Sequence, residues 1–381
     1  MRRLLPMALL AAAVFGTDAE AAVRVYRPTE PSRVVLQLGS SAGESQLARL
    51  RAASVAVPND VDATLRYVDA LMEAGAQTGN ERYYGYAEQA LRGANDSGNT
   101  SITLRRAQLL QHKHDFAAAE RVLSEILEIN GRDREALLMR AQVRLHLHQP
   151  QGAMADCTAL MPLTDLLTST TCIAQARAAQ GDLRRAQTLL LRVLEFQTGG
   201  DAATRSWSAG VAAEFAARRG DSSAAGRWCR EAFELDPNSH YARITYADWL
   251  LSAGRFNQAL QVARGGASLA DRARSVLAAR DAATLDAQRL QLAWQEAAAR
   301  GERAHLRDRA RFELMLLRDP AKANATALEN FQEQSEADDA LLLAETAAAS
   351  GDQESLRVVR EWRERHRYED ARLDSLLGAL Q

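Results

Sequence analysis

Residues 206–239 read SWSAGVAAEFAARRGDSSAAGRWCREAFELDPNS, and the fold is decided here. Ser206-Trp207 opens a helix, Ala213 is a small residue midway along it, and Gly220-Asp221 marks a turn. Ala225 and Ala232 then lie on a second helix, which Leu235-Asp236-Pro237-Asn238 ends. Gly stops the first helix because it takes the left-handed conformation without a Cβ clash. Pro stops the second because it has no amide hydrogen to continue the ladder. The unit is a helical hairpin.

The same pattern runs outward in both directions. Ala107, Ala141, Ala174, Ala213, Ala247, Ala310 and Ala344 are spaced by 34, 33, 39, 34, 63 and 34 residues. In the first five units a second small residue follows 12 positions later: Ala119, Ala153, Ala186, Ala225 and Ala259. A period in the thirties with small residues at fixed offsets predicts stacked hairpins. Alanine at a crossing lets two helix axes approach to about 8–10 Å. Gly75, Gly181, Gly220, Gly254 and Gly351 fall where a first helix must stop. Residues 100–133, 134–167, 167–200 and 240–273 form further units. Residues 62–95 read as a copy with a longer turn, with helices from Tyr67 to Gly75 and Tyr83 to Leu91. The 63-residue gap after Ala247 predicts one degenerate hairpin at 274–301 without a turn glycine, and weaker copies follow at 302–335 and 336–369.

These residues resemble the tetratricopeptide repeat (TPR) family, in an exported bacterial form, over about residues 62–369. The resemblance implies an all-α, right-handed superhelical solenoid of seven or eight hairpins. It also implies a ligand, a protein or peptide, on the concave surface made by the first helices. The residue after each crossing alanine would face that groove: Gln108, Gln142, Gln175, Glu214, Asp248, Arg311 and Glu345, with Asp69 in the divergent first copy. Amides followed by acids make a polar ladder suited to an extended peptide or a glycan. The family's carboxylate-clamp set of Lys, Arg and Asn is missing from these positions, so a chain-terminal carboxylate is not the expected ligand.

Composition agrees with helices. The chain has 381 residues, only 8 Pro and 6% aromatics, and is rich in Ala, Leu, Arg, Gln and Glu, which are good helix formers. A formal charge of −2 gives no argument for nucleic acid or a membrane surface. Residues 1–21 read as a cleavable signal peptide: Arg2 and Arg3, an apolar stretch from Leu4 to Gly16, then Ala19-Glu20-Ala21. That predicts a periplasmic or secreted protein, with no other stretch able to span a membrane. Residues 22–61, with Pro28, Pro31 and Pro58, read as an extended entry with one short helix at 44–54. The regular core then covers 62–273, and degenerate repeats with a C-terminal capping helix cover 274–381.

Catalytic signatures are missing: the chain has no G-x-S-x-G, H-E-x-x-H or phosphate-loop motif. No enzyme and no cofactor is expected. Histidines stand out, because His112 and His114 recur 34 residues later as His146 and His148, on one turn edge. They read as turn residues inherited from one repeat ancestor, with a shared metal as the weaker alternative. His114 and His148 take the place of the turn glycine. Of three cysteines, Cys157 and Cys172 lie on antiparallel helices of neighbouring hairpins. They form a disulfide if their Cα atoms come within about 4.4–6.8 Å, or remain buried thiols; Cys229 reads as a buried thiol. The stretch from Arg357 to Tyr368, with five arginines and Trp362, reads as the capping helix.

The function expected is a non-catalytic scaffold or adaptor of the cell envelope that binds a protein or peptide in the groove. The alternatives are an envelope module for a glycan or a metal ion, and an enzyme with its site in 274–335.

Overall fold

A computed structural model of the chain describes residues 42–379, apart from 58–59, 79, 95–98, 197–200 and 300–304. The expected signal peptide and the extended entry up to residue 41 lie outside the described residues. Among the described residues there are 20 α-helices and no strand. Helix α1 (Ala42–Ala56) covers the short helix expected at 44–54.

Hairpins follow in sequence. They are α2 (Val61–Thr78) with α3 (Arg82–Gly93), α4 (Thr100–His112) with α5 (Phe116–Ile129), and α6 (Arg134–His146) with α7 (Pro150–Leu160). Then come α8 (Leu166–Ala179) with α9 (Leu183–Phe196), α10 (Ala202–Arg218) with α11 (Ser222–Leu235), and α12 (His240–Ser252) with α13 (Phe256–Ala263). The last are α14 (Leu269–Ala279) with α15 (Leu285–Ala299), α16 (Leu306–Met315) with α17 (Pro320–Glu333), and α18 (Ala337–Ser350) with α19 (Gln353–His366). They stack as a right-handed TPR-like solenoid. The seven stretches marked by the alanine register fold as hairpins, and so do 62–95 and 274–301, so the count of nine among the described residues exceeds the expected seven or eight. A short α20 (Ala371–Gly378) follows, and it caps the stack in place of the 357–368 helix. Its Leu373 and Leu377 pack with Leu356, Val359 and Trp362.

The recurring alanines do what the register requires. All seven crossing alanines and their five partners are at most 1% exposed. Between the two helices of each hairpin from α4 onward sits one left-handed residue: His114, His148, Gly181, Gly220, Gly254, Arg280, Arg318 and Gly351. An acidic side chain one or two residues after several of these turns caps the second helix. Asp115 accepts from the Ala118 amide at 3.1 Å, and Asp221 from the Ala224 amide at 2.8 Å. Gly75 differs from expectation. It lies inside α2, where a Cβ would strike the Tyr84 ring of α3, so it permits close approach and does not end the helix. The irregular 63-residue spacing also has a cause: α13 has 8 residues where α11 has 14.

Cys157 on α7 and Cys172 on α8 are joined by a disulfide, with Cα atoms 5.5 Å apart, tying two successive hairpins together. Cys229 is free and buried.

The superhelix then meets itself. The turns of α6–α7, α8–α9 and α10–α11 lie against the loop before α18, the end of α19 and the loop into α20. His146 Nδ1 is 2.7 Å from Glu336 Oε1, and His148 Nε2 is 2.8 Å from Ser335 Oγ. The Leu183 amide donates to Glu369 at 3.3 Å, and Arg218 Nε donates to the Glu369 carbonyl at 3.1 Å while its guanidinium lies over the Tyr368 ring. This seam turns an open groove into a chamber.

Two outcomes test this packing. Gly226 faces the Trp249 ring so closely that any Cβ overlaps it. Gly226→Ala should therefore destabilise by about 1–3 kcal/mol despite the better helix propensity of alanine, read as a lower urea midpoint. A rise in that midpoint would show that the helices are not interlocked there. Reducing the Cys157–Cys172 bond, which spans 15 residues, should cost about 3 kcal/mol on the chain-entropy estimate. An unchanged Tm in reductant would contradict the bond.

Candidate functional site

The chamber inside the superhelix has a volume of about 1690 Å³ and is walled by first helices from α6 to α18 and by α19–α20. The residue after a crossing alanine is turned about 100° from it around the helix. When the alanine packs against its own hairpin, that neighbour faces inward. Gln142, Gln175, Glu214, Asp248, Arg311 and Glu345 all line the chamber. Asp69 and Gln108, placed in the groove by sequence, do not. Asp69 pairs with Arg105 at 2.6 Å, and Gln108 Nε2 donates to Glu135 at 3.3 Å. Their helices α2 and α4 precede the hairpins that the seam encloses.

Arg274 is one of the wall residues that the sequence reading missed. It follows Ala273, which is 1% exposed and takes the crossing position of α14. The Ala-Arg pair was legible in principle, but the short α13 moved it off the 34-residue register. Arg274 is 4% exposed. It donates to Asp248 at 2.7 Å and Asp308 at 2.8 Å, and Arg311 reaches Asp248 at 3.1 Å. Burial would raise the Asp248 carboxyl, but Arg274 and Arg311 outweigh it and hold it below its usual range. This side of the wall is a closed ion-pair chain that fixes α12, α14 and α16.

The opposite side is different. Gln142 Nε2 donates to Gln175 Oε1 at 3.0 Å, which leaves further amide groups of both side chains for other partners. Among the described residues Glu214 has a single 3.3 Å contact, with Arg218. Glu345 is open to the chamber yet ringed by protein, and no hydrogen bond or ion pair holds it among the described residues. Desolvation pushes both carboxyls above their usual range, with Arg218 offsetting part of it at Glu214 and the more distant Arg311 and Arg372 at Glu345. Tyr241, 42% exposed, also lines the chamber, with its ring against Gly210 of α10. Such groups suit polar and cationic contacts more than covalent chemistry. The one thiol in the wall, Cys229, is pushed up to about 12 by burial, so it is not a thiolate at neutral pH.

The histidines do not converge on a metal. His112 contacts Glu81 at 2.9 Å and stacks on Tyr84. His114 meets the edge of Phe116, and His146 stacks on its face while contacting Glu336. His148 stacks on His366 and bonds Ser335. Among the described residues no three His, Cys, Asp or Glu side chains are grouped to hold an ion. His114 and His148 are left-handed, with φ of 60° and 55°, as substitutes for glycine should be. The turn edge is a packing edge.

No family model matches the chain, and no curated protein matches it either. Among solved structures, a Rap protein complexed with competence and sporulation factor is similar at TM-score 0.53 and 14% identity, covering 87% of this chain and 93% of that one. A thermophilic TPR protein of Thermus thermophilus is similar at TM-score 0.37 and 21% identity over 52% of this chain and 99% of its own. A tetratricopeptide repeat protein from Parabacteroides merdae is similar at TM-score 0.34 and 14% identity over 73% and 97%. The likeness to the Rap protein shows the fold.

Glu345 offers a test of the uncommitted wall. Its folded-state pKa lies above the unfolded one, so ionising it opposes folding, and the deficit grows as pH rises above about 4.5. Glu345→Gln should therefore melt higher than the parent at pH 7.5, and the difference should vanish near pH 4. Equal Tm values at pH 7.5 would mean that the carboxylate already has a partner.

Proposed function

We propose that the protein is a non-catalytic binding module that holds an extended peptide, or an extended segment of a partner protein, inside the chamber. The observation that carries this is the convergence of the post-alanine residues of α6, α8, α10, α12, α16 and α18 on one cavity of about 1690 Å³. Small-molecule pockets occupy about 300–1,000 Å³, so the cavity is sized for a chain segment. Gln142 and Gln175 supply donors and acceptors for a peptide backbone. Glu214 and Glu345, poorly compensated in the free protein, favour a segment bearing a basic side chain. The Rap protein of similar fold is complexed with competence and sporulation factor. Fold alone does not carry function, and the reading rests on the wall residues.

The basic start, apolar stretch and small-x-small site at residues 1–21 support export to the periplasm or beyond. The partner would then belong to the envelope, and the protein would act there as a scaffold or adaptor.

The test is peptide capture. Peptides from a digested envelope extract are passed over the folded protein, and the retained ones are resynthesised for titration. Retention should favour Lys- or Arg-bearing segments. Gln175→Ala and Glu345→Gln should each weaken binding by roughly tenfold, or about 1.4 kcal/mol. Affinity indifferent to both changes would move the site out of the chamber.

A further inference from the structure

The seam that closes the chamber contains two imidazoles in face contact. His148, in the α6–α7 turn, stacks on His366 at the end of α19, with ring centroids 4.1 Å apart and planes 29° from parallel. Trp362 meets both, at 5.9 and 5.5 Å. Neutral imidazoles tolerate this arrangement, and two imidazolium ions at that distance repel. The rings belong to hairpins far apart in the chain. They can separate without breaking any helix.

We infer that this part of the seam is an acid-released latch: protonation of His148 and His366 parts the α6–α7 turn from α19 and opens the chamber at that end.

The groups around the pair do not rescue the charged state. His146 from α6 adds a further imidazole. The loop before α18 contributes Ser335, bonded to His148 at 2.8 Å, and Glu336. Asp115 and Glu333 line the cleft beside His146, and Glu336 is the carboxylate in it that His146 at 2.7 Å and Arg307 at 2.7 Å already engage. Burial would raise its carboxyl, yet His146 and Arg307 hold it well below the usual range. From α19 come Trp362 and the cationic Arg365. Burial, then His366, lowers His148 from 6.5 to about 4, and burial, then Arg365, lowers His366. Both depressed values mean that the closed state binds fewer protons than the open one. Closure is thus fully favoured above about pH 6.5 and weakens as pH falls toward about 4. The inference adds regulation to the chamber reading, but opening needs no ligand, so its test stands apart from that of peptide binding.

The experiment is small-angle scattering with far-UV circular dichroism on the ligand-free full chain from pH 7.5 to 4.0. The parent should expand between about pH 6.5 and 4 while its helical signal is retained. His366→Gln removes one titrating ring. His148→Asn removes the other and suits the left-handed backbone at that position. Each should stay compact to lower pH, with the midpoint displaced by on the order of one unit. A constant parent radius down to pH 4.0, expansion that coincides with loss of helix, or variants that expand at the parent midpoint would each overturn the latch. If His148→Asn is unfolded at pH 7.5, His366→Gln decides alone.

Discussion

The contact between the hairpin turns and residues 335–371 is the constraint on which the chamber depends. In an ordinary solenoid each repeat touches only its neighbours, and the concave face is an open trough. Here Glu369 takes the Leu183 amide and offers its carbonyl to Arg218, across a separation of more than 150 residues. The stacked hairpins already hold these ends close. Joining them therefore orders little additional chain, and modest hydrogen bonds and ring contacts suffice. Glu214 and Glu345 face the space so formed, and burial raises the carboxyls of both.

Much of this was legible in sequence because close helix crossing is a local, periodic demand. Ala107, Ala141, Ala174, Ala213, Ala247, Ala310 and Ala344 marked the buried side, and their next neighbours marked six wall residues. Where the reading failed, the cause was physical. Gly75 looked like a helix stop, but glycine also serves close approach, and Tyr84 uses it that way. Arg274 was lost because the 8-residue α13 broke the period. Asp69 and Gln108 lie outside the chamber, because the register marks one face of every first helix and cannot say which hairpins the seam encloses. The seam had no sequence signature at all, since Ser335 and Glu369 have no periodic relation to His148 and Leu183.

The two sides of the wall illustrate opposite uses of charge. The Asp248–Arg274–Asp308 chain neutralises itself, with Arg311 on Asp248, and works as internal scaffolding between α12, α14 and α16. Glu214 and Glu345 keep charge that the protein leaves largely unanswered. Poorly compensated charge lowers stability, and such cost concentrates where a protein reserves contacts for something outside itself. The histidine turns follow a related logic. Each accepts a left-handed backbone, uncommon for a non-glycine residue, and each gains a ring contact that glycine lacks.

Closure also changes how this molecule can evolve. An open repeat array tolerates gain or loss of a unit, because every unit sees the same kind of neighbour. A ring of hairpins does not. Inserting one between α10 and α18 would displace Ser335, His366 and Glu369 by about one interhelical spacing, roughly 10 Å, and strand His148, Leu183 and Arg218 without partners. Duplication, the usual route by which repeat proteins lengthen, is closed to this chain between its seam residues. Growth remains open at the N-terminal side, where α1 to α5 precede the hairpins that the seam encloses.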